Sequence, residues 1–151
     1  MNVARAIHKL GGAVSALVAV GGVSGQRLMQ LLTQEGVPVH PVPVSGETRQ
    51  SLAVTDEETG GQYRFSLPGH ILTKEDGTRL VSEIAAMVQQ GCYVVVSGGA
   101  APGLGDDFPD HLHSAIACRT DILIVFTSKT ALIRVVHRPA QPLHILRIDK
   151  R

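Results

Sequence analysis

The sequence has 151 residues, a formal net charge of +1, and 44% hydrophobic, 18% charged and 3% aromatic residues. This length is enough for one domain with a hydrophobic core. The small net charge gives no electrostatic basis for binding nucleic acid or an anionic membrane, and the few aromatic residues argue against a surface on which bases stack. We therefore expect partners that are neither nucleic acid nor membrane.

The two cysteines, Cys92 and Cys118, follow apolar or helical patterns and are predicted to be buried free thiols, which is typical of a cytoplasmic protein. The apolar stretch 13–23, preceded by basic residues, superficially resembles a signal peptide. Gly21 and Gly22 interrupt it and no A-x-A site follows, so we interpret it as a buried strand before a glycine turn. No segment is long enough to span a bilayer.

The first third of the chain predicts two helices alternating with two strands. A helix over 3–10 ends at Gly11-Gly12, and the run SALVAVGG (15–22) predicts a buried strand that ends in a glycine turn. A helix over about 26–35 ends at Gly36. The strand predicted over 37–44 is interrupted by prolines, which places it near a sheet edge.

The segment TRQSLAVTDEETGGQYRFSL (48–67) predicts a β-hairpin, because apolar residues alternate on both sides of an acidic turn that ends in glycine. One face of this hairpin carries Leu52, Val54, Tyr63, Phe65 and Leu67. A two-stranded hairpin with one apolar face is not stable alone. It must therefore dock on the body of the protein, on a partner chain or over a bound ligand.

The remaining segments predict further alternation of helices and strands. Thr73 is a candidate cap, with Asp76 three residues on, for a helix that reaches 90. Strands follow over 92–99, 121–126 and 143–148, with helices over about 107–118 and 129–136 between them. Strands that alternate with helices at this spacing predict an α/β fold with a mostly parallel sheet. The chain is interpreted as one domain, 1–151, from which the hairpin is an excursion.

Three glycine-rich segments indicate a ligand crevice at the carboxyl ends of the strands: 21–25, 97–103 and the approach to Gly11-Gly12. Glycine lets backbone N–H groups come close to a polar ligand, although βα turns use glycine in any case. Arg49 lies at the root of the hairpin. It is either a solvated surface arginine or a clamp for phosphate or sugar hydroxyls.

Other candidates for chemistry are weaker. Asp106, in GLGDDF (103–108), is either a helix N-cap or a general base, and the N-cap is the commoner role. His111 and His113 are two residues apart on a predicted helix and point in different directions, so no metal site is expected. The spacing of serine, histidine and aspartate supports no hydrolytic triad.

Several motifs together resemble the PfkB-type sugar kinases, which have the ribokinase-like fold. Asn2, Ala4, Gly11 and Gly21 fit the spacing of that family's first signature, in NVARAIHKLGG and LVAVGG. TRQSLAV and GQYRFSLPG resemble the lid of the 6-phosphofructokinase branch, and VVVSGGAAPG resembles its S-G-S-x-P-P-G turn, with Gly99 in place of a serine.

The resemblance implies roles for particular residues. Asn2 would contact sugar hydroxyls, Arg49 the sugar or its phosphate, and Gly21 and Gly22 would line the sugar pocket. Gly98 and Gly99, in the second glycine turn, would complete the substrate-binding set. The hairpin would be a lid over a sugar phosphate and a clasp in a homodimer, and the complete family uses ATP and Mg²⁺.

The sequence also departs from the family pattern. IVFTSKTAL (124–132) has Phe126 and Lys129 where the family has aspartate and glycine, and the late G-A-G-D motif with the catalytic base does not occur in these residues. The resemblance therefore implies the acceptor-side half of a sugar-phosphate kinase, inactive alone, with no catalytic residue beyond the weak candidate Asp106 and doubtful binding of ATP. The alternative is a non-catalytic sugar-phosphate-binding module that dimerises through the hairpin.

Overall fold

The computed structural model describes residues 1–97, 101–105, 107–116, 123–126 and 145–146, and of the last two segments only the backbone strands. Helices alternate with parallel strands, and an antiparallel hairpin interrupts them in the middle of the chain. In chain order the elements are α1 (Asn2–Lys9), β1 (Ala16–Val20), α2 (Gly22–Gln34), β2 (Val39–Pro43), β3 (Gln50–Thr55), β4 (Gln62–Leu67), α3 (Lys74–Met87), β5 (Tyr93–Val96), α4 (Phe108–Ile116), β6 (Leu123–Phe126) and β7 (Ile145–Leu146).

The strands form two parallel sheets and one hairpin. β1 pairs with β2 in the register Ala16↔Val39, and β5, β6 and β7 pair in that order. β3 and β4 form the hairpin, in which Leu52 lies opposite Phe65. Within the described residues the two parallel sheets are not hydrogen-bonded to each other. The predicted parallel pairing is thus confirmed, but it is divided between two sheets.

The helices lie on opposite faces of β1. Ala16 and Val18 pack with α1 and α2, in a cluster that contains buried Ala4 and Leu32. Leu17 and Ala19 pack on the other face with α3, in the cluster of buried Val42, Leu72 and Leu80. Because successive side chains of a strand point to opposite faces, this alternation covers β1 on both sides, as parallel sheets require.

Helix α3 begins with the predicted cap. The Thr73 hydroxyl accepts from the backbone N–H of Asp76 at 3.1 Å, and the Asp76 carboxylate accepts from the N–H of Thr73 at 3.0 Å. This reciprocal capping box satisfies two donors that a helix start leaves free. The helix ends at Met87 instead of the predicted 90, because the backbone of Val88 is extended and its side chain turns into a cluster with Leu112 and Ile116.

Helix α2 begins four residues earlier than predicted, at Gly22, and the carboxylate of Glu47 occupies its first turn. The prolines of β2 fit its position, since β2 pairs only with β1 among the described residues. Cys92 is a free thiol. The predicted helix over 129–136 and Cys118 lie outside the described residues. Within them, no helix is both long and apolar enough to cross a membrane.

One face of β5 is uncovered. Val94 and Val96 pack against the cluster under α3 and α4, whereas Tyr93 is 65% exposed and Val95 37% exposed on the other face. A parallel strand is normally covered on both faces. The described residues therefore build both layers over β1 but only one layer over β5.

Candidate functional site

The glycine turn 21–25 connects β1 to α2 at the carboxyl end of the strand. Its backbone opens onto a cavity of about 500 Å³, called the crevice here, between the end of β1, the first turns of α2 and the end of β2. The residues that line the crevice are Val20, Gly21, Gly22, Gly25, Gln26, Met29, Gln30, Pro43 and Val44. A crevice beyond the carboxyl ends of parallel strands is where α/β proteins bind their ligands.

The hairpin is fastened to this turn through Thr48. The backbone N–H of Thr48 donates to the carbonyl of Gly21 at 3.1 Å, and its hydroxyl both accepts from the N–H of Gly21 at 3.0 Å and donates to the Gly21 carbonyl at 3.1 Å. The Ser24 hydroxyl oxygen lies 3.0 Å from the carbonyl of Thr48, and its one proton is shared between that carbonyl and the carboxylate of Glu47. These bonds attach the segment that leads into the hairpin to the glycine turn that lines the crevice.

Glu47 adds a charged contact beside Thr48. Its carboxylate accepts from the N–H of Val23 at 3.1 Å, the N–H of Ser24 at 2.9 Å and the hydroxyl of Ser24 at 2.5 Å. The Ser24 hydroxyl and then the two N–H groups hold the pKa of Glu47 below its usual value. The Val23 and Ser24 N–H groups are free donors in an uncapped helix, so the carboxylate caps α2.

The glycines of the turn are needed for close approach. Gly22 has φ +65°, and a β-carbon there would overlap the Glu47 carboxylate. A β-carbon on Gly21 would overlap the carbonyls of Val44 and Gly46, and one on Gly25 would lie 2.9 Å from the Thr48 hydroxyl. The glycines of the turn 21–25 therefore let the hairpin root approach closely, and they also line the crevice.

The returning leg of the hairpin lies against the second glycine turn. The N–H of Leu72 donates to the carbonyl of Pro102 at 2.8 Å, and Gly103, with φ +91°, packs directly against the backbone of Leu72. The two legs are joined by the N–H of His70, which donates to the Glu47 carbonyl at 3.1 Å. We use "hairpin root" for residues 44–49 and 68–72; it lies between the two glycine turns.

The predicted substrate-binding residues are only partly brought together. Gly21 and Gly22 line the crevice. Arg49 is exposed and follows Thr48 directly, with its backbone against Gly69, so it stands at the hairpin root but does not line the crevice. Asn2 is the exposed first residue of α1 and is not among the residues lining the crevice. Gly98, Gly99 and Asp106 lie outside the described residues.

The apolar face of the hairpin is open. Leu52, Val54, Tyr63, Phe65 and Leu67 are 50–58% exposed. In the described part of the chain this face is not buried against the body of the protein, so the first of the three docking modes considered from the sequence is not observed there. Docking on a partner chain or over a ligand stays a prediction.

A second cavity of about 520 Å³ lies between α3 and α4, and its lining includes the side chains of Lys74, Asp107 and His111. His111 Nε2 lies 3.8 Å from Asp107 Oδ2, and both side chains are exposed. Among the described residues no group of three or more His, Cys, Asp or Glu side chains could hold a metal ion.

Sequence reasoning missed Glu47, Ser24 and Thr48 as site residues. Glu47 is 23 residues away in sequence from its partner Ser24, and no local spacing rule links an acidic residue to a helix that ends before it. The signal available in the sequence was the pair of glycines at the end of a strand, because glycine there indicates that another segment of the protein or a ligand comes close to the backbone.

Comparison with known proteins identifies the family of this chain. Residues 1–132 match the model of the pfkB family of carbohydrate kinases. The chain belongs to this family. The match confirms the resemblance drawn from the motifs, and with it the ribokinase-like α/β fold with a β-hairpin.

The relatives are phosphofructokinases. The chain is 37% identical over 128 residues to ATP-dependent 6-phosphofructokinase isozyme 2 of Mycobacterium tuberculosis. This alignment covers 85% of this chain and 38% of that protein. It superposes on the tetrameric inhibited form of phosphofructokinase-2 from Escherichia coli with a TM-score of 0.84 at 30% identity, covering 97% of this chain and 47% of that one.

The same Escherichia coli enzyme in complex with fructose-6-phosphate superposes with a TM-score of 0.79 at 34% identity, over 89% of this chain and 45% of that chain. The chain therefore spans less than half the length of each of these two relatives.

Proposed function

We propose that this chain binds a sugar phosphate at the crevice, as the acceptor-side half of an ATP-dependent sugar-phosphate kinase of the 6-phosphofructokinase type. The observation that supports this most is the attachment of the hairpin root to the glycine turn through Thr48 and Glu47. Arg49 is the next residue along the chain after Thr48 and is exposed at the hairpin root. A relative has been solved with fructose-6-phosphate.

The proposed division of labour follows from the chemistry of the ligand. A sugar hydroxyl can approach the glycine backbone of the turn closely, because no β-carbon intervenes. A phosphate takes two parallel N–H donors from a guanidinium, so Arg49 is proposed as its clamp. Asn2, Gly98 and Gly99 are proposed as further contacts on the basis of the family motifs alone.

Turnover by these residues alone is not expected. Phosphoryl transfer requires in-line positioning, a means of activating the acceptor and positive groups for the developing charge. The 151 residues do not contain the G-A-G-D motif of the family, which carries the catalytic base. ATP and Mg²⁺ are therefore proposed as cofactors of the complete family architecture, and Asp106 is the first residue to test as a base if activity is found.

The second candidate function is a non-catalytic sugar-phosphate-binding module that self-associates through the hairpin. It is favoured by the open apolar face, since monomers seldom expose contiguous patches larger than a few hundred Å². One relative is a tetramer. In both candidates the crevice binds the same ligand, and we place the protein in the cytoplasm because of its metabolic relatives and its free thiol.

The test is a calorimetric titration of the chain with fructose 6-phosphate and, separately, with fructose. Arg49→Lys should weaken fructose 6-phosphate binding about ten- to a hundredfold while fructose loses less, because lysine cannot form the paired donors. Arg64→Lys is the matched control, since Arg64 is an exposed arginine of the same hairpin and should leave both affinities unchanged.

Binding of fructose 6-phosphate without phosphorylation in a coupled assay with ATP is expected of both candidates. Turnover that copurifies with the chain would contradict both of them. Equal fructose 6-phosphate affinity of the parent and Arg49→Lys would contradict the clamp.

A further inference from the structure

The contact between Glu47 and α2 has a consequence for the way in which a ligand can lie in the crevice. Three donors converge on one carboxylate at the start of a 13-residue helix: two backbone N–H groups and the Ser24 hydroxyl. In a helix without a cap these N–H groups, together with the helix dipole, would attract an anion. In this protein the carboxylate of Glu47 occupies that anion position.

We propose that Glu47 is a positioning and specificity-determining residue: a latch that fixes the hairpin root on α2 and keeps anionic groups away from the first turn of that helix. The sugar phosphate would then lie with its hydroxyls toward Gly21 and Gly22 and its phosphate toward Arg49. This orientation rests on the proposed function, whereas the latch itself does not.

The exclusion follows from donor count and charge. The N–H groups of Val23 and Ser24 already donate to Glu47, so a phosphate at the same place would have to displace a carboxylate. It would also approach a negative charge that is held in position, and like charges at short distance disfavour binding. Arg49 is only two residues further along the chain and supplies the opposite charge.

The latch follows from the geometry of the glycine turn. Gly22 leaves room for the carboxylate, and Thr48 holds the adjoining backbone to Gly21. The return leg is tied to the same residue, because the N–H of His70 donates to the Glu47 carbonyl. If the hairpin moves as a lid, we therefore expect the backbone to bend beyond residue 49. Residues 47 and 48 should keep their hydrogen bonds to the start of α2.

The first experiment measures amide hydrogen exchange by NMR in the parent, Glu47→Gln and Glu47→Ala. If the latch exists, the amides of Val23 and Ser24 should exchange about two- to thirtyfold faster in Glu47→Ala, which is the range expected for loss of a helix cap. Glu57→Gln, at the exposed tip of the hairpin, is the control and should change neither. Unchanged exchange in both Glu47 variants of a folded protein would overturn the latch.

The second experiment titrates inorganic phosphate and follows the same two amides. The amide resonances of Val23 and Ser24 should not shift in the parent. They should shift saturably in Glu47→Gln, which removes the negative charge but keeps the size of the side chain. A saturable shift of Val23 and Ser24 in the parent would overturn the exclusion. If Glu47→Ala fails to fold, Glu47→Gln still decides both points.

The experiments on Glu47 and the experiment on Arg49 can fail independently of each other. Should Arg49→Lys leave fructose 6-phosphate binding unchanged while Glu47→Gln gains phosphate binding at α2, the Arg49 clamp is wrong and the latch stands. Should the parent bind fructose 6-phosphate with its phosphate on Val23 and Ser24, the crevice still binds the ligand but the orientation proposed here is wrong.

Discussion

The open apolar face of the hairpin should drive self-association, and Phe65 is the residue to change. Phe65 lies opposite Leu52 on the hairpin, next to Tyr63 and Leu67 on the same face, and is 55% exposed. A large aromatic side chain exposes roughly 200 Å² when free, so Phe65 offers about 100 Å². At about 25 cal/mol per Å², its burial contributes about 2.5 kcal/mol for each copy.

In a two-fold symmetric dimer the same residue is buried twice, which doubles the contribution to about 5 kcal/mol. Phe65→Ser should therefore raise the dimer dissociation constant by roughly 4 × 10³-fold. Sedimentation equilibrium over a range of protein concentrations measures this constant. Arg64→Ser, on the opposite face of the same strand, is the control and should leave it nearly unchanged.

The reasoning fails if the parent stays monomeric across the whole concentration range. It also fails if the parent dimerises and Phe65→Ser has the same dissociation constant, because the dimer then forms through another surface.

Three further predictions concern stability. Thr73→Ala removes the capping box of α3 and should lower the free energy of unfolding by about 1 kcal/mol in urea titration, with dichroism as the readout; an unchanged midpoint would show that the cap contributes nothing. Leu112→Ala, at a fully buried position, should cost about 2–5 kcal/mol, whereas Leu10→Ala, 87% exposed, should cost little; similar costs would contradict the described core. The backbone N–H of Thr73 holds the pKa of Asp76 below its usual value, so this contribution to stability is present at neutral pH and is lost as the pH falls through the lowered pKa. Asp76→Asn should therefore make the free energy of unfolding less dependent on pH in the acid range. The same pH dependence in the parent and the variant would refute this prediction.

Much of the fold was predictable because its signals are local. The apolar run before Gly21 predicts β1, and Thr73 with Asp76 three residues on predicts the start of α3 through a contact within one helical turn. The hairpin follows from alternation around an acidic, glycine-ended turn. Each of these depends on residues close together in the chain, so the pattern carries the information.

What was missed depends on contacts between distant segments. The early start of α2 depends on Glu47, which lies after the next strand in the chain. Gly22 leaves room for the Glu47 carboxylate and also lines the crevice. The division of the parallel strands into two sheets is likewise a matter of packing, because each strand alone has an apolar pattern that suits either sheet.

The central claim, a sugar phosphate at the crevice beneath the hairpin root, is tested most directly by mapping backbone amide shifts of the chain during titration with fructose 6-phosphate. We predict saturable shifts at Gly21, Gly22, Thr48 and Arg49, with fructose producing shifts at the two glycines but much smaller ones at Arg49. An absence of saturable shifts, or saturable shifts confined to the cavity between α3 and α4, would contradict the claim.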